Sequence, residues 1–198
     1  VCDCKFQECP VYKKCCFLPT EYFLFEDKLK ILFIGQGGGA TERIQKRPFC
    51  GRAGEYLREL IIYCMKQNKK TVGIAFSNTI RDNPDGNRVP SETELTWCMR
   101  HLITDIVKLK EFGLSVIIPL GNAATSVFLK GQMQPITKSR GKCYQYVVDS
   151  HTFTVIPTYH PSYLLRQAQN VKHFNPTTMT QFDENVISDV SMAIRIGE

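Results

Sequence analysis

The stretch ILFIGQGGGATER, residues 31–43, drives an apolar run into a cluster of glycines. Its apolar part, KILFI at 30–34, is short and nearly continuous, as expected of a strand buried on both faces. Three runs of the same kind follow: TVGIAF (71–76), LSVIIPL (114–120) and FTVIP (153–157). Helical periodicity fills the intervals. One segment, roughly 52–66, puts Leu57, Leu60, Ile61 and Cys64 on one face. A second, 91–110, opens with the capping-box pair Ser91 and Glu94 and carries Leu95, Cys98, Leu102, Ile106 and Leu109 at helical spacing. Two more are expected at 121–130 and 180–195. Strands alternating with helices predict an α/β domain built on a mainly parallel sheet.

The glycines invite a second reading. Gly35-x-Gly37-x-x-Ala40 fits the dinucleotide fingerprint. That motif needs a helix running on from its third position and an acidic residue ending the next strand. Here TERIQKRPFCGRAG reaches Pro48 soon after, and Asn78 stands where the acid belongs. The stretch is therefore read as a strand end followed by a short loop.

Composition bounds the rest. With 198 residues, 43% hydrophobic and 22% charged, the chain is expected to form one domain, 1–198. Residues 1–29 form an irregular, Cys-rich lead-in packing on it, and 167–180 read as loop. No apolar run has the length of a membrane span and no signal peptide opens the chain, so an intracellular, non-secreted protein is expected. A net charge of +6 suits an anionic partner such as nucleic acid, and equally suits solubility. Nine cysteines, five of them within the first 16 residues, make an odd count without a mark of secretion. A metal or cluster site at the N-terminus, with Cys98 as a distant partner, fits better than disulfides; Cys64 fits the core.

In open parallel sheets, ligands bind beyond the carboxyl ends of the strands. Those ends read Gly35-Gln36-Gly37, Ser77-Asn78, Gly121-Asn122 and Thr158-Tyr159-His160. Gln, Asn and His side chains there could surround a planar polar ring. No nucleophile elbow, Walker lysine or carboxylate pair accompanies them.

GQGGG, RPFCGRAG, SNTIRDNPDGNR, LGNAA, SRGK and HPSYLLR occur in the order and spacing of uracil-DNA glycosylases. Over residues 9 to 166 the chain most resembles the iron–sulfur family 4, which is related to the N-terminal region of some phage DNA polymerases. The resemblance implies a three-layer α/β/α sandwich around a central, mainly parallel four-stranded sheet. It implies hydrolysis of the N-glycosidic bond of uracil in DNA after base flipping, in base excision repair. By resemblance, His160 donates to uracil O2, Asn78 reads O4 and N3–H, Phe49 stacks on the ring, and Gly37 brings backbone N–H groups to O2. Glu42 falls where a glutamate crowds C5 and excludes thymine. Ser162, Tyr163 and Leu164 belong to the loop that enters the minor groove, with Tyr163 and Leu164 as its wedge. Arg166, Lys138 and Arg140 hold phosphates. Uracil-containing DNA, single- or double-stranded, is the implied partner. Replication proteins or a fused polymerase are further ones, for a chain expected to be monomeric.

The sequence departs from the family twice. Gln36 stands where a water-orienting glutamate is common; a carboxamide can position water but cannot take its proton. This leaves open a weakened or inactive DNA-binding domain of the same fold, while the run Gly37-Gly38-Gly39 leaves room for a modified pyrimidine. The resemblance also implies a 4Fe–4S cluster on four cysteines. Cys9 and Cys98 match two positions, Cys4 reaches the first through a longer spacing, and Asp82 stands at the remaining one. Cys2, Cys15 or Cys16 could substitute, and zinc or no metal stays open.

Overall fold

The computed structural model describes residues 18–82, 88–131, 134–168, 171 and 173–196. Among these lie six strands and seven helices. The strands are β1 (Glu21–Phe23), β2 (Ile31–Gly35), β3 (Ile74–Asn78), β4 (Val116–Pro119), β5 (Tyr144–Val148) and β6 (His151–Val155). The helices are α1 (Ala40–Gln45), α2 (Arg52–Gln67), α3 (Glu92–Lys110), α4 (Gly121–Phe128), α5 (Ile136–Ser139), α6 (Pro161–Gln167) and α7 (Gln181–Arg195).

One sheet runs in the order β1-β3-β2-β4-β6-β5. Its middle four strands, β3, β2, β4 and β6, pair in parallel and are the four expected. The sheet is nevertheless six-stranded, because β1 and β5 flank those four in antiparallel pairing. This corrects the four-stranded expectation, and β1 corrects the reading of residues 1–29 as wholly irregular. The β5–β6 turn is a two-residue loop, Asp149-Ser150, with φ of 50° and 57°. Left-handed values at both central positions match the twist of a tight hairpin.

The three-layer architecture follows from the alternation of side chains along the strands. Ile31 and Phe33 face one way, with Leu57, Leu60 and Ile61 of α2 and Val186, Val190 and Ile194 of α7. Leu32 and Ile34 face the other way, with Leu102, Ile106 and Leu109 of α3 and Ala124, Val127 and Phe128 of α4. Cys64 is buried in the first of these layers, and burial pushes its thiol up to about 12, as befits a packing residue. The predicted capping box is present: Ser91 Oγ accepts from Glu94 N–H, and the Glu94 carboxylate accepts from Ser91 N–H. Arg88 grips the same carboxylate with two N–H groups and holds it well below the usual range, at about 2.

Several boundaries move; β6, for one, spans His151–Val155 rather than 153–157. β3 starts at Ile74 rather than residue 71, because Gly73 packs directly against the Lys28 carbonyl and its own carbonyl is taken by Lys30 and Ile31. After the first strand end the chain forms a helix, α1, where a loop was expected. It is six residues long and ends at Lys46 in the left-handed region (φ 52°). No helix among the described residues is long and apolar enough to cross a membrane.

Candidate active site

The carboxyl ends of β2, β3 and β6 open onto one cavity of about 440 Å³. Gln36, Gly37, Glu42, Phe49, Asn78 and His160 all line it. Gly35 and Asn78 are register partners on β2 and β3. A Cβ on residue 35 would stand 2.6 Å from Asn78 Oδ1 and 2.8 Å from Phe49 Cζ. Only glycine there lets the amide and the ring stand side by side. Asn78 is 3% exposed and Phe49 7% exposed, so both are held by packing. Phe49 rests on Phe76, ring centroids 5.6 Å apart.

Glu42 comes from α1 and reaches across to α2, where Oε1 accepts the Gly51 N–H at 2.8 Å. Its carboxylate borders the cavity next to Gly39 and Gly51.

His160 is the N-cap of α6. Its Nδ1 accepts the Ser162 N–H at 3.2 Å and lies 2.6 Å from Ser162 Oγ. An acceptor at Nδ1 places the ring proton on Nε2. Burial, followed by the positive charge of Arg166, lowers the imidazole to about 4 against a smaller opposing pull from Glu42. The ring is therefore neutral at physiological pH and still offers one N–H. In an NMR titration, His160 should not titrate near 6.5 but only close to pH 4. The unfolded chain takes up this proton more readily than the folded one. Stability from this residue is thus constant above about 6.5 and is lost as pH falls from there toward 4. A midpoint at 6 or higher would reject the neutral assignment.

A sequence profile of the uracil DNA glycosylase superfamily matches residues 23–184 of this chain. The chain belongs to this superfamily. It is 34% identical over 165 residues to the type-4 uracil-DNA glycosylase of Thermotoga maritima, covering 80% of this chain and 81% of that protein. It is 35% identical over 138 residues to the type-4 uracil-DNA glycosylase of Saccharolobus solfataricus, covering 68% of this chain and 62% of that protein. The corresponding protein of Sulfurisphaera tokodaii is 34% identical over 140 residues, covering 68% and 60%.

The residues expected on DNA divide in this uracil-DNA glycosylase fold. Ser162 lines the cavity, and Arg166 and Lys138 are exposed. Tyr163 is half-buried, packed on Tyr159 and edge-on to Phe182. Two expectations are corrected. Leu164 is fully buried in the core and is not available as a wedge in this conformation. Arg140 is turned inward: its Nε donates to Asp189 Oδ2 at 3.0 Å, and Nη2 donates to Asp189 Oδ1 and to the Asn185 carbonyl. Thr158 Oγ1 also donates to Asp189, at 2.6 Å. Arg140 thus ties α7 to the segment that carries His160, instead of reaching for a phosphate.

Of the residues proposed to hold a cluster, Cys2, Cys4, Cys9, Cys15 and Cys16 lie outside the described residues. Cys98, in α3, is 3% exposed, and its sulfur accepts the Arg81 N–H at 3.5 Å. That bond brings the 81–82 segment to Cys98, and an N–H aimed at sulfur suits a metal-bound thiolate. Asp82 is 4% exposed, with Oδ1 3.6 Å from Arg43 Nε. The buried Cys98 thiol suits a cluster ligand, while among the described residues no three His, Cys, Asp or Glu side chains gather to hold a metal.

Residue-by-residue reading missed Arg52 and Ala53, which line the cavity from the first turn of α2. The Arg52 guanidinium also donates to the Val171 carbonyl at 2.8 Å. Both residues stood within RPFCGRAG, so the motif itself was the available signal.

Proposed function

We propose that this chain is a uracil-DNA glycosylase that flips uracil from DNA and hydrolyses its N-glycosidic bond, leaving an abasic site. The observation that carries this reading is the meeting of Phe49, Asn78 and a neutral, Nε2-protonated His160 around one cavity at the strand ends.

An enzyme acting on a base must take it out of the stack and read its Watson–Crick edge in a pocket. Phe49 supplies an aromatic face for the flipped ring. The Asn78 amide offers a donor to O4 and an acceptor to N3–H, a combination that cytosine does not match. Glu42 excludes a C5 methyl group, a role that its fixed carboxylate, held by Gly51 N–H at the cavity wall, supports. As the C1′–N1 bond breaks, its electron pair stays with uracil and positive charge develops on the sugar. His160 donates Nε2–H to O2 and stabilises the anion, and a neutral donor does so without transferring its proton. Gln36 holds the water whose oxygen joins C1′; the released proton passes to solvent. Ser162, Tyr163, Arg166 and Lys138 hold the strand around the extruded nucleotide.

A 4Fe–4S cluster held by Cys98, Asp82, Cys4 and Cys9 would cross-link the N-terminus to α3 and serve structure rather than the hydrolytic step. Gln36 supports a second reading, a fold that binds DNA and no longer cuts it, because a carboxamide occupies the position where a water-activating carboxylate is common.

Incubation with single- and double-stranded uracil DNA should generate alkali-labile sites at uracil and none at thymine. Retained DNA binding without cleavage would sink the enzyme reading. The same preparation should absorb near 400 nm (roughly, as an iron–sulfur chromophore does); a colourless, iron-free protein of full activity would reject the cluster.

A further inference from the structure

Phe49, the aromatic face of the cavity, has an unusual backbone. Its φ is +51°, a left-handed value that a bulky side chain adopts only when its surroundings impose it. The imposing contacts come from one side chain, Arg58, two turns into α2. Its Nε donates to the Phe49 carbonyl at 3.0 Å, and Nη2 donates to the Pro48 carbonyl at 3.1 Å. The guanidinium lies 4.1 Å above the centroid of Phe76, the ring on which Phe49 rests. It is anchored in turn by Glu21 of β1, whose Oε2 accepts from Nη2 at 2.5 Å. Glu21 Oε1 also binds Arg47, at the start of the same loop, at 2.7 Å. The loop can come this close because residue 54 is glycine: a Cβ there would lie 2.2 Å from the Phe49 carbonyl carbon and oxygen.

We infer that Arg58, braced by Glu21, is a positioning residue for substrate: it fixes Phe49 in the left-handed conformation that turns its ring toward the flipped base. Neither residue lines the cavity, so each acts on the base only through Phe49. This rests on the glycosylase reading, but its test does not depend on activity alone. A planar fork suits the task. It donates to two carbonyls, stacks on a ring and pairs with a carboxylate at once, which an ammonium cannot do.

The test is a double-mutant cycle between Arg58→Gln and Phe49→Ala, read as kcat/KM on a single-stranded uracil substrate. In the parent background R58Q should cost about tenfold, within the range that base–aromatic stacking contributes. In the F49A background it should cost less than about twofold, since the two act as a unit. Equal losses in both backgrounds, or no loss in the parent, would overturn the inference. In parallel, NMR should find the ring contact between Phe49 and Phe76 in the parent and lose it in R58Q. Persistence of that contact overturns the inference even if the parent proves inactive, whereas an inactive parent alone counts against the function. If R58Q does not fold, Arg58→Lys keeps the ion pair with Glu21 and carries the same cycle. It is expected to stay folded and still lose several-fold in kcat/KM, and full parental activity in R58K would equally overturn the inference.

Discussion

His160→Ala is expected to slow uracil release by about 10²–10³-fold, the usual cost of removing a preorganised donor from a developing anion. The expectation follows from the tautomer. Nδ1 is occupied by Ser162, so the ring's single N–H is the one at Nε2. DNA affinity should change by less than about threefold, because the contacts proposed for DNA lie on other side chains. His160 also caps α6, and losing a cap costs about 1 kcal/mol. His160→Asn separates the two roles: asparagine is a good N-cap, so α6 is kept while the imidazole donor is lost. Single-turnover cleavage and fluorescence anisotropy on a uracil oligonucleotide are the measurements. A rate within fivefold of the parent for both variants would remove His160 from the mechanism.

Asp189→Ala should destabilise the fold by about 3–5 kcal/mol. Asp189 is fully buried, and burial raises its carboxyl despite the opposing pull of Thr158 and Arg140. Truncating it strands the Arg140 guanidinium, only 19% exposed, and removes the acceptor of Thr158 Oγ1. The cost should appear as a lower urea midpoint with an unchanged slope. Replacing both partners together, Arg140→Met with Asp189→Leu, should recover most of it, since an apolar pair carries no desolvation cost. A loss below 1 kcal/mol in the single variant would show that the pair is not a strut.

Strands β2, β3 and β4 were legible because buried strands are apolar on both faces and leave nearly unbroken runs, whereas β6 was legible only from Phe153 onward, its His151 and Thr152 being polar and not buried. The edge strands left weaker marks. Glu21–Phe23 is three residues long and half-exposed, and Tyr144–Val148 alternates in burial. The base-facing residues were legible because each stands at or just beyond a strand end or within a motif. Arg140 and Leu164 misled for one reason: a motif names residue types, whereas the side to which each points depends on the helix that packs behind it. Nothing in the sequence places Asp189, 49 positions after Arg140, at its guanidinium. Arg58 was invisible on the same grounds, as an ordinary charge in an amphipathic helix until its two carbonyl partners are known.

The short strand β1 has a consequence for anyone trimming the protein. It hydrogen-bonds along the outer side of β3, from Ile74 to Phe76, and so keeps this parallel strand from standing at the border of the sheet. Among the described residues, removing 18–23 would take away no side chain that lines the cavity, but it would take away Glu21, which braces Arg58. It would bare a ladder of unpaired amides beside apolar side chains, the arrangement through which one chain recruits the next into aggregates. Trimming behind β1 therefore loses both the brace of Phe49 and the cover of this sheet edge.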